Sequence, residues 1–243
     1  MKIATYNLQH CLGYVDQKTG KVIEKFGDRV IQFDIFDKAL KELDADIVGL
    51  EEIFGEGDHE KWTAQAPRLA WGAGYNDCAF SSAINFEGNN PYGNAILSRI
   101  PITNIQRIAI PDPIEKKYSG YYETRGALKV KLENGYTVMV AHFGLNPDEQ
   151  ENAVKTVLEH AEKEKFILMG DFNMKPDNEI LQPIFEAFKD TAVFVEGNTF
   201  TFPSVNPYMK IDYVFVSKDI EVVSAQVPNI VASDHLPFIV EIK

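Results

Sequence analysis

Lys165–Met174 reads KFILMGDFNM, and the fold of the chain is read outward from it. Phe166 to Met169 is a short continuous apolar run, the pattern of a strand buried on both faces. The run stops at Gly170 and presents Asp171 and Asn173, which share one side if the extended backbone continues. Glycine at this point permits a close backbone approach or a turn. Taken alone, GDFN is a strand followed by an Asp/Asn turn. It becomes a site only if distant parts of the chain supply partners.

The 243 residues are enough for a sizeable core and are read as a single domain, 1–243. Apolar residues at 45% and charged residues at 25% are ordinary for a globular protein and too apolar for disorder. No run approaches the roughly 18 apolar residues of a membrane span, and MKIATYNLQH lacks the apolar segment of a signal peptide. A cytoplasmic protein without a membrane partner is therefore expected. Cys11 and Cys78 are too few for a disulfide framework and are read as reduced thiols. The formal net charge of −12, from 24 Lys and Arg against 36 Asp and Glu, argues against long nucleic acid as the default ligand. Bound divalent cations would offset carboxylates gathered in a site.

Ile3 to Leu8 reads as a first strand ending at Asn7, with Gln9, His10 and Cys11 in a polar loop and a surface loop from Leu12 to Gly27. Phe33, Phe36, Leu40 and Leu43 give Val30 to Leu43 the spacing of an amphipathic helix. Asp46 to Leu50 is a second apolar strand that ends in Glu51 and Glu52. Adjacent strand residues point to opposite faces, so at most one of the two is expected in a given site. Phe54 to Trp71 reads as a loop and then a helical piece interrupted by Pro67.

Asn76 to Ile84, Asn94 to Ser98, Ile102 to Ile110, Ala127 to Leu132 and Tyr136 to Phe143 read as successive strands, with turn formers at Asn89 to Gly93. The loop from Ile110 to Tyr122 interleaves Lys116, Lys117, Tyr118, Tyr121 and Tyr122, a pattern of a solvated loop or of one that holds a phosphate and stacks on a ring. Asn146, Pro147 and Glu149 start a helix with a capping box, and Ala153, Val154, Val157, Leu158 and Ala161 form its buried stripe. A second helix is expected from Asn178 to Phe188. Strands then follow at Thr199 to Phe202, Ile211 to Val216, Ile220 to Gln226 and Leu236 to Ile242.

Strand ends thus carry Asn7, Glu52, His142, Asp171 with Asn173, and Asp234 with His235. Each is explicable as turn chemistry, but together they are the oxygen ligands and imidazoles that a hard divalent cation and a phosphoester hydrolase require.

On these residues the chain resembles the endonuclease/exonuclease/phosphatase superfamily, which includes deoxyribonuclease I, exonuclease III-type repair nucleases, neutral sphingomyelinases and inositol polyphosphate 5-phosphatases. The motifs run in order along nearly the whole chain: TYNLQ with Asn7, DIVGLEE with Glu52, YGNAILSR with Asn94, TRGAL with Arg125, VAHFG with His142, GDFN with Asp171 and Asn173, IDYVFVS with Asp212, and SDHLP with Asp234 and His235. Two positions depart from the pattern, Glu51 for the usual Gln and Ala141 for the usual Thr or Ser.

The resemblance implies an α/β (α+β) four-layer sandwich, deoxyribonuclease I-like, with two central mixed β-sheets flanked by helices and the site at one end of the sheets. It implies Glu52, Asn7 and Asp234 as the site of Mg2+, with Mn2+ as a substitute. It implies Asp171, Asn173, His142, Asp212 and His235 as catalytic groups, and Arg125 and Asn94 as substrate-binding groups. The reading is a metal-dependent hydrolase of a small or short phosphoester. A DNA repair endonuclease or exonuclease is the alternative enzyme, and a non-catalytic binding module that keeps the fold is the alternative of another class. Substrate choice is assigned to the loops at 12–27, 54–60, 86–91, 110–122 and 202–210, and the oligomeric state is left open.

Overall fold

In the computed structural model, which describes residues 1–58, 64–86 and 88–243, the apolar runs become two six-stranded sheets. The first begins with β1 (Lys2–Asn7), β2 (Ile47–Phe54), β3 (Asp77–Phe86) and β4 (Asn90–Ser98). The second holds β5 (Ile102–Ala109), β6 (Gly126–Leu132), β7 (Thr137–Ala141), β8 (Phe166–Asp171), β9 (Lys189–Asp190) and β10 (Asp212–Val216). The chain then returns to the first sheet with β11 (Val222–Gln226) and β12 (Phe238–Ile242). The strand orders are β11-β12-β1-β2-β4-β3 and β5-β6-β7-β8-β10-β9. Each sheet is mixed and contains one parallel pair, β1 with β2 and β7 with β8.

The inner faces meet in an apolar core that includes Ile3, Ile47, Ile96, Val140, Ile167, Met169, Val214 and Val240. Truncating a fully buried side chain there, such as Met169→Ala, costs about 2–5 kcal/mol by loss of transfer energy plus the cavity left behind. Helices α1 (Phe33–Leu43) and α2 (Gln65–Ala73) cover the outer face of the first sheet through Phe36, Leu40 and Leu69. Helices α3 (Pro147–His160) and α4 (Gln182–Ala187) cover the second through Ala153, Val157 and Ile184. The result is the four-layer sandwich expected from the sequence, with the capping box of Asn146 and Glu149 formed as read.

Several boundaries differ. The first helix starts at Phe33 rather than Val30. Pro67 does not interrupt α2, because it lies in the first turn, where its missing N–H costs nothing. The Asn178–Phe188 helix divides into a 3-10 turn, Glu179–Leu181, and α4. β4 begins at Asn90, inside the expected turn. Thr199 to Phe202 is not a strand; only Phe202 makes a bridge, to Met209. The expected loops 54–60 and 86–91 extend in part onto residues outside the described ones.

Two details of the backbone position the site. Gly170 has φ +145°, and a methyl group on it would sit 1.9 Å from the Ala141 carbonyl oxygen, so β7 and β8 approach here only because the residue is glycine. On β2 the register against β4 shifts between Leu50 and Ile53, and Glu52 takes φ +57°. This irregularity re-aims the side chains at the strand end.

Candidate active site

The C-terminal ends of both parallel pairs lie together. Asn7 at the end of β1 donates through Nδ2 to Glu52 Oε1 on β2 and to Asp171 Oδ2 on β8, each at 3.1 Å, so one amide ties the two sheets. Pairing of β8 with β10 puts Asp212 opposite Asp171. The loop before β12 brings His235 over them. Asp171 Oδ2 lies 3.5 Å from His142 Nε2 and 3.6 Å from His235 Nε2, while His235 Nδ1 lies 2.9 Å from Asp212 Oδ2. Asn173, in the left-handed region at φ +51°, donates its backbone N–H to Asp171 Oδ1 at 2.9 Å and its amide to the Phe143 carbonyl at 3.1 Å.

Arg125 Nη1 is 3.2 Å from His142 Nδ1. Asn173 Nδ2 lies 3.1 Å from the other ring nitrogen, Nε2, so a donor faces each side of the His142 imidazole. Asp234 stands slightly apart, receiving Gln9 Nε2 at 2.7 Å and the Ser233 hydroxyl at 3.1 Å. Asn94 is buried against the same wall and donates to the Gly126 carbonyl at 2.8 Å. Glu52, Asn7, Asp171, Asp212, His142, Asn173, His235 and Arg125 are therefore one contact network, with Asp234 and Asn94 at its edges.

The network is buried, and its charges follow from that. Burial and then the Asp212 charge push the Asp171 carboxyl up to about 7, against the pull of His235. Burial pulls the His235 imidazole down, but the charges of Asp212, Asp171 and Asp234 outweigh it and leave the ring well above the ordinary histidine value. His142 goes the other way: burial and the neighbouring Arg125 and His235 cations hold it well below that value, so it is neutral. Burial, with the Glu52 charge added, raises Asp234.

The residues present suit a hard divalent cation. Glu52 and Asp234 offer carboxylate oxygen, Asn7 stands beside Glu52 with its Nδ2 turned toward it and its Oδ1 taken by the Gln9 N–H, and Asp171, Asp212 and Glu51 crowd further carboxyls against few cations. Asp171, Asp212 and His235 also form a group that could hold a metal, with ligand atoms within 4.8 Å of one another. In that trio, however, His235 Nδ1 is occupied by Asp212, the arrangement of an oriented imidazole, and the oxygen set around Glu52 suits Mg2+ better.

Sequence reasoning missed several neighbours. Glu51, which the sequence marks only as a departure from the family pattern, is fully buried, takes the Thr5 hydroxyl at 2.7 Å and is raised by burial and by Asp212 and Asp171. Thr201, from the segment misread as a strand, donates to Asp212 Oδ2 at 2.5 Å. Glu123 pairs with Arg125 at 2.5 Å; their spacing of two in ETR is the cue that could have found it. Lys116 stacks on Tyr122, whose hydroxyl bonds Asp148 at the start of α3, so this part of the 110–122 loop is built against the helix.

The profile of the Endonuclease/Exonuclease/phosphatase family matches residues 4–235. No curated protein matches the sequence significantly. Among solved structures, an endonuclease/exonuclease/phosphatase from Beutenbergia cavernae is 20% identical, with 100% of this chain and 71% of that chain covered and a TM-score of 0.78. A mannosyl-6-phosphatase from Bacteroides thetaiotaomicron is 18% identical, with 100% and 99% covered and a TM-score of 0.75. A family protein from Leptotrichia buccalis is 20% identical, with 100% and 99% covered and a TM-score of 0.73. These likenesses show the fold, and the profile match across almost the whole chain shows the lineage: this chain belongs to the endonuclease/exonuclease/phosphatase family.

Proposed function

We propose that residues 1–243 act as one metal-dependent phosphoesterase domain, a phosphodiesterase or phosphatase on a small or short substrate. The observation that carries this reading is Asp171 Oδ2, which faces His142, His235 and Asn7 at 3.1–3.6 Å while Asn7 reaches on to Glu52. A phosphoester repels nucleophiles through its own charged oxygens, so hydrolysis needs charge neutralisation and an aligned water.

Glu52 would be the principal holder of Mg2+, or Mn2+ in its place, with Asp234 completing the site and Asn7 tuning it through its bond to Glu52. When bound, the cation supplies charge stabilisation at phosphoryl and leaving oxygens. Asp171, with a carboxyl near 7, aligns the attacking water and takes its proton. Asn173 holds that water or a phosphoryl oxygen. His235, oriented and kept protonated by Asp212, donates to a phosphoryl oxygen. His142 and Arg125 stabilise the five-coordinate transition state, and Arg125 Nε is buried without a partner, a donor left for substrate. Asn94 supports this wall from the Gly126 carbonyl.

The net charge of −12 favours a small substrate over a polyanion. The mannosyl-6-phosphatase likeness is consistent with a phosphomonoester of that size. Hydrolysis of bis-p-nitrophenyl phosphate, abasic-site DNA and a phosphomonoester panel with Mg2+, Mn2+ or EDTA tests the reading. Cleavage of DNA with a steep salt dependence would establish the repair-nuclease alternative, and silence on all substrates a binding module.

A further inference from the structure

Gln9, His10 and Cys11 follow the last strand residue, Asn7, with one residue between, and all three have left-handed backbones, at φ +43°, +52° and +61°. Non-glycine residues adopt this region at a cost, and three in succession persist only where surroundings hold them. The surroundings do so. Cys11 is fully buried, the His10 carbonyl accepts from Gln65 Nε2 at 2.8 Å, and Gln65 Oε1 accepts the Phe54 N–H at 2.9 Å, locking the turn to the end of β2.

The turn spends this distortion on the groups around Glu52. The Gln9 backbone N–H donates to Asn7 Oδ1 at 3.1 Å, which points Asn7 Nδ2 toward Glu52 and Asp171. The Gln9 side chain then spans to the other end of the chain: Arg29 Nη1 donates to Gln9 Oε1 at 2.5 Å, and Gln9 Nε2 donates to Asp234 Oδ2 at 2.7 Å. A guanidinium can only donate, so Arg29 fixes which end of the Gln9 amide meets Asp234. Arg29 is itself held by the Ile23 carbonyl at 2.9 Å and lies over the Tyr14 ring. His10 Nδ1 stands 4.0 Å from Glu52 Oε2 and is buried without a hydrogen-bond partner.

From this geometry we infer that Gln9, oriented by Arg29, is the positioning residue whose side-chain amide sets the Asp234 carboxylate in the orientation a divalent cation requires, joining both ends of the chain at one point. This rests on the metal-dependent reading above and extends it to residues outside the ligand set. Groups that orient ligands typically change metal affinity by about 10- to 100-fold when removed.

The test is calorimetric titration of Mn2+ into metal-free wild type, Gln9→Gly, Arg29→Met, Asp234→Asn and the Gln9→Gly/Asp234→Asn double variant, with the thermal midpoint of each. Gln9→Gly suits a left-handed backbone, so it retains the fold while removing the amide. We expect Mn2+ affinity to fall about 10- to 100-fold in Gln9→Gly and to fall in Arg29→Met, and the double variant to lose less than the summed losses because Gln9 acts through Asp234. Mn2+ affinity of Gln9→Gly within twofold of wild type, or full additivity with Asp234→Asn, overturns the positioning role. Wild-type protein that binds no Mn2+ overturns it together with the metal-dependent reading, a result distinct from either.

Discussion

Asp171 and His235 face each other across 3.6 Å in a buried site, with the carboxyl raised to about 7 and the imidazole raised above its ordinary value. Burial raises Asp171 most, and the charge of a third residue, Asp212, raises both groups. In the proposed mechanism the active form has Asp171 ionised and His235 protonated, a state available only between their two titrations.

The proposed roles therefore predict a bell-shaped dependence of rate on pH. On the acid side kcat/KM falls as Asp171 takes up a proton; on the alkaline side it falls as His235 loses one, above the ordinary histidine range. In metal-free protein, carboxyl NMR should place the Asp171 titration at about 7, and a value near an ordinary aspartate contradicts the assignment.

Asp171→Ala and His235→Ala should each lower kcat by at least roughly a hundredfold, the scale of acid–base groups. Circular dichroism should show both folded. Wild-type turnover in both would remove them from the mechanism.

Asp212→Asn keeps a side chain of the same shape beside His235 Nδ1 but removes the charge that holds the ring protonated. The alkaline limb of the bell should move to lower pH, and His235 should titrate lower by NMR. An unmoved limb would show that Asp212 does not govern His235.

Glu51 is fully buried with its Oε2 unpartnered. Its folded carboxyl titrates well above the ordinary 4.5, so its contribution to stability is present below 4.5 and is lost as pH rises through the raised value. Glu51→Gln should leave the thermal midpoint at pH 4 nearly unchanged and raise it at pH 8. Equal midpoints for the two proteins across this range would mean that the buried carboxyl is not strained by ionisation.

The sheets and the covering helices were legible because their signals are local. Apolar runs such as FILM and the three-and-four spacing of Phe33 to Leu43 state which faces are buried. The resemblance then named the site, and the structure brings Asn7, Glu52, Asp171, His142 and His235 together. What escaped depends on non-local or backbone detail. The register shift between Leu50 and Ile53 interrupts the two-residue alternation of β2, and no local pattern announces it. Thr201 reaches Asp212 from an irregular segment with no periodicity to read. The left-handed turn at Gln9 to Cys11 contains no glycine, so nothing in its composition announces a positive φ.

The most direct test of a cation-dependent phosphoesterase is a Mg2+ titration of bis-p-nitrophenyl phosphate and phosphomonoester hydrolysis by EDTA-treated wild type and Glu52→Gln. The account predicts no turnover without metal, recovery on adding Mg2+, and a Mg2+ requirement shifted about 10-fold or more upward in Glu52→Gln. Hydrolysis at full rate in EDTA, or none on any substrate with Mg2+ in excess, would contradict it.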